Sequence, residues 1–401
     1  MTGNGHKKKN GILRRAFLRE IATFGIAASS SAAFADTYGS SPIQRDFSDP
    51  YLELVRLLRE AAEIEHDLMI QYLYGAFSLK PAYAELIGDS QPGTSSFLGV
   101  TVEEMQHLGA VNRLLVELDA APVLSRQDFP YETDLYPFPF ELKALDPVSL
   151  AKFTYCEAAP DALPEVRARG DSTVRLLEQI ERSIGGTVAP NHVGHLYDAV
   201  IDMLGEVRDA GLADIDFDAW SEDLDDIKAE GEVGHFEFFR SLYEGDHRLL
   251  ESNPDVWNLA AGDARYPCYD VPINPTAYAG HTNSIEDPEL RALAWLGNLN
   301  YWSMLSLLDT GYRQNSRLEP ALANAIMMGP LMSLAQHLPT RGAAVPFDPL
   351  SMGFESGLNA ISERRFTRLM LEESRDFARS IEQLLPSGFD PELYDQLLRT
   401  L

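Results

Sequence analysis

The chain has 401 residues, with 33 Lys+Arg against 61 Asp+Glu, a formal net charge of −28 at pH 7, and 45% hydrophobic residues. That is ordinary globular composition, long enough for one large domain or two modest ones. So acidic a chain lacks the clustered Lys and Arg that phosphate contacts need, so no nucleic-acid partner is expected. No apolar run reaches the ~18 residues of a membrane span. Two cysteines, Cys156 and Cys268, cannot make a disulfide framework or a zinc-thiolate site. Whether they pair in one bridge or stay as core thiols is open at this level.

The first 35 residues read as a targeting segment rather than as fold. Lys7, Lys8, Lys9, Arg14, Arg15 and Arg19 form a basic head, residues 21–28 a short apolar middle, and Ala33-Phe34-Ala35 an A-x-A end. That order describes a cleavable export signal. Arg14-Arg15 followed by Ala16-Phe17-Leu18 resembles the twin-arginine signal, which implies the Tat translocon as a partner during export and a periplasmic or secreted destination. Residues 36–50, rich in Ser, Asp, Pro and Gly, read as a linker.

From residue 51 to about 79 the apolar residues Leu54, Leu57, Leu58, Ala61, Ile64, Leu68, Met69 and Tyr72 keep helical spacing. Asp49-Pro50 is a start signal and Lys80-Pro81 a stop. A second helix is expected over 101–118, with Thr101 as N-cap and Glu104 completing a capping box. Seven prolines between residues 120 and 170 rule out a long helix there, 147–155 excepted. Helices are then expected over 172–184, 191–210 and 218–242. Residues 250–285 are loop-like, and helices return over 288–311, 318–338 and 360–385. No alternating strand pattern is present, so the class is all-α. A bundle over 51–245 and a helical extension packed on it over 246–401 are the expected domains.

Two Glu-x-x-His pairs carry the chemistry: Glu104-Met105-Gln106-His107 and Glu232-Val233-Gly234-His235. Residues i and i+3 share a helix face, so each pair can chelate from one side. Di-metal four-helix bundles of the ferritin-like type combine two such pairs with one Glu from each remaining helix. Glu104 and His107 lie on the stripe of Leu108, Val111 and Leu115, whereas Glu103 falls on the polar side. In the first helix Glu65 lies among Leu58, Ala61, Leu68, Met69 and Tyr72, where a carboxylate is costly unless paired or metal-bound. Glu60 and Glu63 sit off that stripe. Glu65 to Glu104 is 39 residues and His195 to Glu232 is 37, which suits two similar hairpins joined by one long crossover. That register puts His195 where the third helix should offer a carboxylate. His192, one turn earlier, is the reserve, and Asp202 and Glu206 are fallback carboxylates. The expected metal set is Glu65, Glu104, His107, His195, Glu232 and His235. Tyr72 and Tyr197 fall beside it as candidate redox or hydrogen-bonding groups.

The stretches Ala61-Ala62-Glu63-Ile64-Glu65-His66, Gln71-Tyr72-Leu73-Tyr74 and Glu103-Glu104-Met105-Gln106-His107-Leu108 resemble ferritin-like proteins related to iminophenyl-pyruvate dimer synthase. So do Glu230-Gly231-Glu232 with His235-Phe236-Glu237-Phe238-Phe239, and the stretch around Asn300-Tyr301-Trp302-Ser303-Met304-Leu305. The resemblance runs over about residues 50–350. It implies a ferritin-like fold, with Glu65, Glu104, His107, Glu232 and His235 at matching metal positions. It also implies an activity like coupling two aromatic imines, although His195 and the export signal depart from the family.

An oxygen–nitrogen donor set suits Fe, with Mn, Zn or Cu as alternatives, rather than Mg or Ca. The expected function is a di-metal oxidoreductase acting on a small organic substrate, aromatic or amine/imine in kind. The alternative is a non-enzymatic ferritin-like protein that handles metal or oxidant. Residues 246–401, with Trp295, Tyr301, Trp302, Tyr312 and Phe347, favour the enzyme, because a substrate pocket needs a cover and a storage bundle does not.

Overall fold

The first helix, α1 (Pro50–Phe77), is buried on every side over its middle: each residue from 60 to 72 is buried, while Leu52 and Arg59 nearer its start are exposed. Asp49 caps it, its side chain accepting from the Leu52 N–H at 3.0 Å, with Pro50 at the position that needs no donor. In this computed structural model the described residues are 43–93, 95–126, 138–159, 162, 171–184, 192–349 and 360–401. The expected export signal lies outside them, as does the linker up to residue 42. Among the described residues there are helices and two isolated bridges, Leu79 with Cys268 and Thr276 with Ser284, and no strand. The all-α expectation holds.

Four helical segments make the bundle: α1, α2 (Phe97–Glu117), α5 (Val193–Asp209) and α6 (Phe217–Ala229). The last of these continues through a π-helical turn (Glu230–His235) into α7 (Phe236–Glu244). α1 packs on α2 and on α5, and α5 on α6. α2 begins one turn earlier than the sequence suggests. Ser96 is the cap, accepting from Gly99 N–H at 3.2 Å, while Thr101 lies inside the helix with its hydroxyl on the Phe97 carbonyl at 2.6 Å.

The crossover between the two hairpins carries structure of its own. α3 (Pro147–Cys156) and α4 (Asp171–Ile184) lie in it, and α3 packs on both α4 and α7. α3 is strongly started: Asp146 accepts from Ser149 N–H at 2.8 Å, and the Ser149 hydroxyl accepts from Asp146 N–H at 2.9 Å, with Pro147 at the first position. Its C-cap is Glu157.

The C-terminal layer is α8 (Pro288–Arg313), α9 (Leu318–Ile326), a second π turn (Met327–Leu331), α10 (Met332–His337), α11 (Ala360–Ser380) and α12 (Leu393–Thr400). The last helix had no counterpart in the sequence reading. α8 packs on α9 and α11, joined to α11 by buried hydroxyl pairs such as Ser306–Thr367 at 2.6 Å. This layer covers the back of α1: the Tyr301 hydroxyl meets His66 Nε2 at 2.7 Å, and α10 also touches α1. Glu60 and Glu63 are also buried, although they sit off the apolar stripe. Cys156 and Cys268 are both buried and both free thiols, so the bridge does not form.

Because the capping box sets the start of α3, Asp146→Ala should destabilise the fold by about 1 kcal/mol. A lowered urea midpoint with an unchanged slope is the expected reading.

Candidate metal centre

Glu65 from α1, Glu104 and His107 from α2, Glu157 at the end of α3 and His235 at the end of the π turn converge on one spot. All five are buried. Their donor atoms form two groups of three, each within 4.8 Å: Glu65, Glu104 and His107, and Glu104, Glu157 and His235. Glu104 belongs to both. His107 Nδ1 is 3.6 Å from Glu65 and 3.5 Å from Glu104. His235 Nδ1 is 2.8 Å from Glu104 Oε1 and 3.5 Å from Glu157.

Several of these atoms have no hydrogen-bond partner. His235 Nδ1 and Glu104 Oε1 stand at hydrogen-bond separation without its geometry, and both are left unsatisfied, as is Glu65 Oε2. Buried polar atoms are almost always satisfied. Orphaned oxygens and a nitrogen turned toward one another fit cations held between them, so the two groups, which share Glu104, could hold a di-metal site.

The remaining nitrogen of each ring is fixed by the opposite helix. His107 Nε2–H donates to Glu230 at 2.9 Å, and His235 Nε2–H donates to Glu103 at 2.9 Å. The helix that carries each histidine thus braces the other helix's histidine, leaving Nδ1 of both toward the centre. Carboxylates that hold the far nitrogen fix tautomer and ring orientation and make the imidazole a better ligand. Glu103, placed by its helix register on the polar side, is in fact buried. It also accepts from Gly93 N–H at 2.6 Å. The segment before α2 and the π turn enclose it, which periodicity along one helix cannot show.

Two further groups hold the carboxylates. The Tyr197 hydroxyl donates to Glu65 Oε1 and the Tyr72 hydroxyl to Glu157 Oε1. Burial and the nearby carboxylates raise both phenols well above their usual range, so both stay protonated. Burial, then the Glu104 charge, pushes Glu65 up to about 7. Burial alone would lower His107 and His235, but the carboxylates around them outweigh it and raise both. Without cations, the cluster therefore holds protons where metals would sit.

Two expected ligands stand elsewhere. His195 joins neither group. It occupies the first turn of α5, where its Nδ1 accepts from the His192 N–H at 3.0 Å as a helix cap. The face of α5 toward the centre is that of Gly194 and Tyr197, and His195 lies to its side. His192 caps the same end, its Nδ1 on the Tyr155 carbonyl at 3.0 Å, and burial lowers it to about 4. Asp202 is exposed, and Glu206 pairs with Arg45 at 2.9 Å. The carboxylate missing from α5 comes instead from the crossover, as Glu157.

Glu232 also falls outside both groups, although it lines the same cavity. The cause is the π turn: its wider i→i+5 winding removes the shared face of residues three apart. Glu232 turns toward α5, where a Cβ on Gly194 would lie 2.2 Å from its Oε1. That oxygen is buried without a hydrogen-bond partner, and Lys228 Nζ is 4.0 Å away. The cavity beside the donors is about 20 Å³ and is bordered by Gly194, Lys228, Gly231 and Glu232 on its outer side. None of Trp295, Tyr301, Trp302, Tyr312 or Phe347 lines it. Trp295 stacks edge-on against Trp302, and Tyr301 against Phe347, behind α1.

Residues 58–240 match the ferritin-like family model. This stretch is a ferritin-like domain. It contains every residue of both donor groups. The chain is also 27% identical over 361 residues to a dichlorochromopyrrolate synthase of Lentzea aerocolonigenes. That alignment takes in 72% of this chain and 34% of the relative, so the chain spans about a third of the length of the curated relative it matches. No solved structure matches. Against the usual ferritin-like pattern, the domain departs in placing Tyr197 where its third bundle helix would offer a carboxylate.

Glu104→Ala, Glu157→Ala or His235→Ala should each lower bound metal in the purified protein, while His195→Ala should leave it unchanged; elemental analysis reads both. Glu103→Gln should weaken metal affinity by about 10- to 100-fold.

Metal affinity should fall as pH is lowered, beginning above pH 7, because Glu65, raised to about 7, and both histidines, raised well above their usual range, must lose protons to bind. Competition titrations at pH 6 and pH 8 would show it as proton release on binding and a weaker constant at pH 6.

Proposed function

We propose that this chain is an exported di-metal oxidoreductase that acts on a small organic substrate, with iron as the metal its donors suit best. The observation that carries this is the pair of buried three-donor groups sharing Glu104. Three carboxylates and two imidazoles are a donor set for Fe, Mn, Zn or Cu rather than for Mg or Ca. When bound, such a pair supplies redox and Lewis-acid chemistry.

The protein's own residues do the rest. Glu103 and Glu230 keep both imidazoles aimed inward. Tyr72 and Tyr197 each occupy one oxygen of Glu157 and Glu65, leaving the second oxygen for coordination. Each phenol stays protonated and keeps its hydrogen on the carboxylate oxygen that it braces. Helices α1, α2 and α5 enclose the donors, and Gly194, Gly231 and Lys228 border the small cavity beside them.

The relative, which is named for making dichlorochromopyrrolate, supports the choice of substrate class. An aromatic substrate bearing an amine or imine is the matching proposal. Export through the Tat translocon to the periplasm or beyond rests on Arg14-Arg15, the apolar stretch and Ala33-Phe34-Ala35. A second reading, a metal- or oxidant-handling protein, draws on the cavity beside the donors, whose ~20 Å³ has room for a water-sized molecule.

Loading the purified chain with Fe(II) under nitrogen, then admitting air with an aromatic imino acid, separates the two. Oxidised organic product in proportion to dioxygen consumed supports the enzyme. Iron oxidation with the organic compound untouched supports the second reading. For export, replacing Arg14 and Arg15 with Lys should leave an uncleaved precursor in the cytoplasm, and normal cleavage after Ala35 would count against twin-arginine routing.

A further inference from the structure

A second cavity lies on the far side of α2 from the metal donors. Glu103, Glu104 and His107 face the centre, whereas Val102, Met105 and Gln106 face this cavity. Its opposite wall is α8, α9 and the start of the second π turn, through Met304, Leu305, Tyr312, Ala323 and Met327. It measures about 200 Å³. A smaller apolar cavity of about 30 Å³ adjoins it, sharing Val102, Met105 and Met327.

The lining is unusual in composition. The chain has ten methionines, and six of them, Met69, Met105, Met304, Met327, Met328 and Met332, border these two cavities. Thioether side chains adapt to irregular shapes and make favourable contacts with aromatic ring edges. The helix wall is itself irregular: Gly329 and Pro330 sit in the π turn that carries Met327 and Met328. Turns of this kind recur at functional sites.

Polar groups are few and sit at the edge. Gln106 and Asn324 are exposed at the rim, and Tyr312 brings a phenol into the wall. An apolar cavity of ~150 Å³ already takes up benzene, so this one has room for one or two fused rings.

We infer that this cavity binds a flat one- or two-ring aromatic molecule carrying one hydrogen-bonding group, with the rings among the methionines and the polar group toward Gln106 and Asn324. None of the metal donors lines the site.

Indole is a suitable probe, titrated into the full chain labelled with ¹³C at the methionine methyls. The expected result is saturable shifts at Met69, Met105, Met304 and Met327, from the ring current of the bound aromatic. Met203 and Met370, which line neither cavity, should not move. Ala323→Phe fills the space and should weaken indole binding at least tenfold, with the circular dichroism spectrum and metal content unchanged.

Absence of saturable shifts, equal shifts at Met203 and Met370, or undiminished binding by folded Ala323→Phe would each overturn the inference. If Ala323→Phe does not fold, the methyl map of the unaltered chain decides alone. A positive map in a chain that binds no metal would keep this site while removing the metal proposal, so the two fail separately.

Discussion

Glu104 is the residue on which the centre depends. Its carboxylate lies between two imidazoles and two further carboxylates in a place without solvent. A buried charge is costly unless paired, and removing one member of such a set leaves the others uncompensated. Protons on Glu65 and the histidines offset the charge when cations are absent. Cations would offset it better, because they also satisfy the orphaned atoms. The bundle therefore encloses a set of groups that are mutually unfavourable until filled.

That constraint accounts for the braces around it. Each histidine is held by a glutamate from the opposite helix, and two of the carboxylates by a tyrosine hydroxyl. Each bond removes one way for a ligand to turn away. The π turn serves the same end. By widening the winding between Glu230 and His235, it brings both residues to α2, Glu230 to brace His107 and His235 to join the donor groups, while Glu232 falls aside.

The C-terminal layer has a different relation to the centre than a lid would. It covers α1 from behind and so makes that helix dry on both faces, which deepens the burial of Glu65. Trp295 packs on Trp302 and Tyr301 on Phe347 within it, and its open space, the methionine-lined cavity, faces α2 from the side away from the donors. The metal centre and this cavity share a helix as a common wall.

Much of the domain was legible in the chain itself. The helices, the first Glu-x-x-His pair and the inward aim of Glu65 follow from spacing, because a helix repeats every 3.6 residues and its neighbours must be apolar to be buried. The same rule fails where local geometry departs from it. It put Glu232 beside His235 on an α-helical face, and the π turn removed that face. It sent Glu103 to solvent, and a neighbouring segment covered it. It chose His195 by register, and helix capping took the side chain. Glu157 gave a weak signal, a lone carboxylate in Tyr155-Cys156-Glu157-Ala158-Ala159 after a well-capped helix. Sequence determined which groups could bind metal; tertiary structure decided which of them meet, because the third-helix carboxylate is supplied by a crossover whose path no periodicity along the chain encodes.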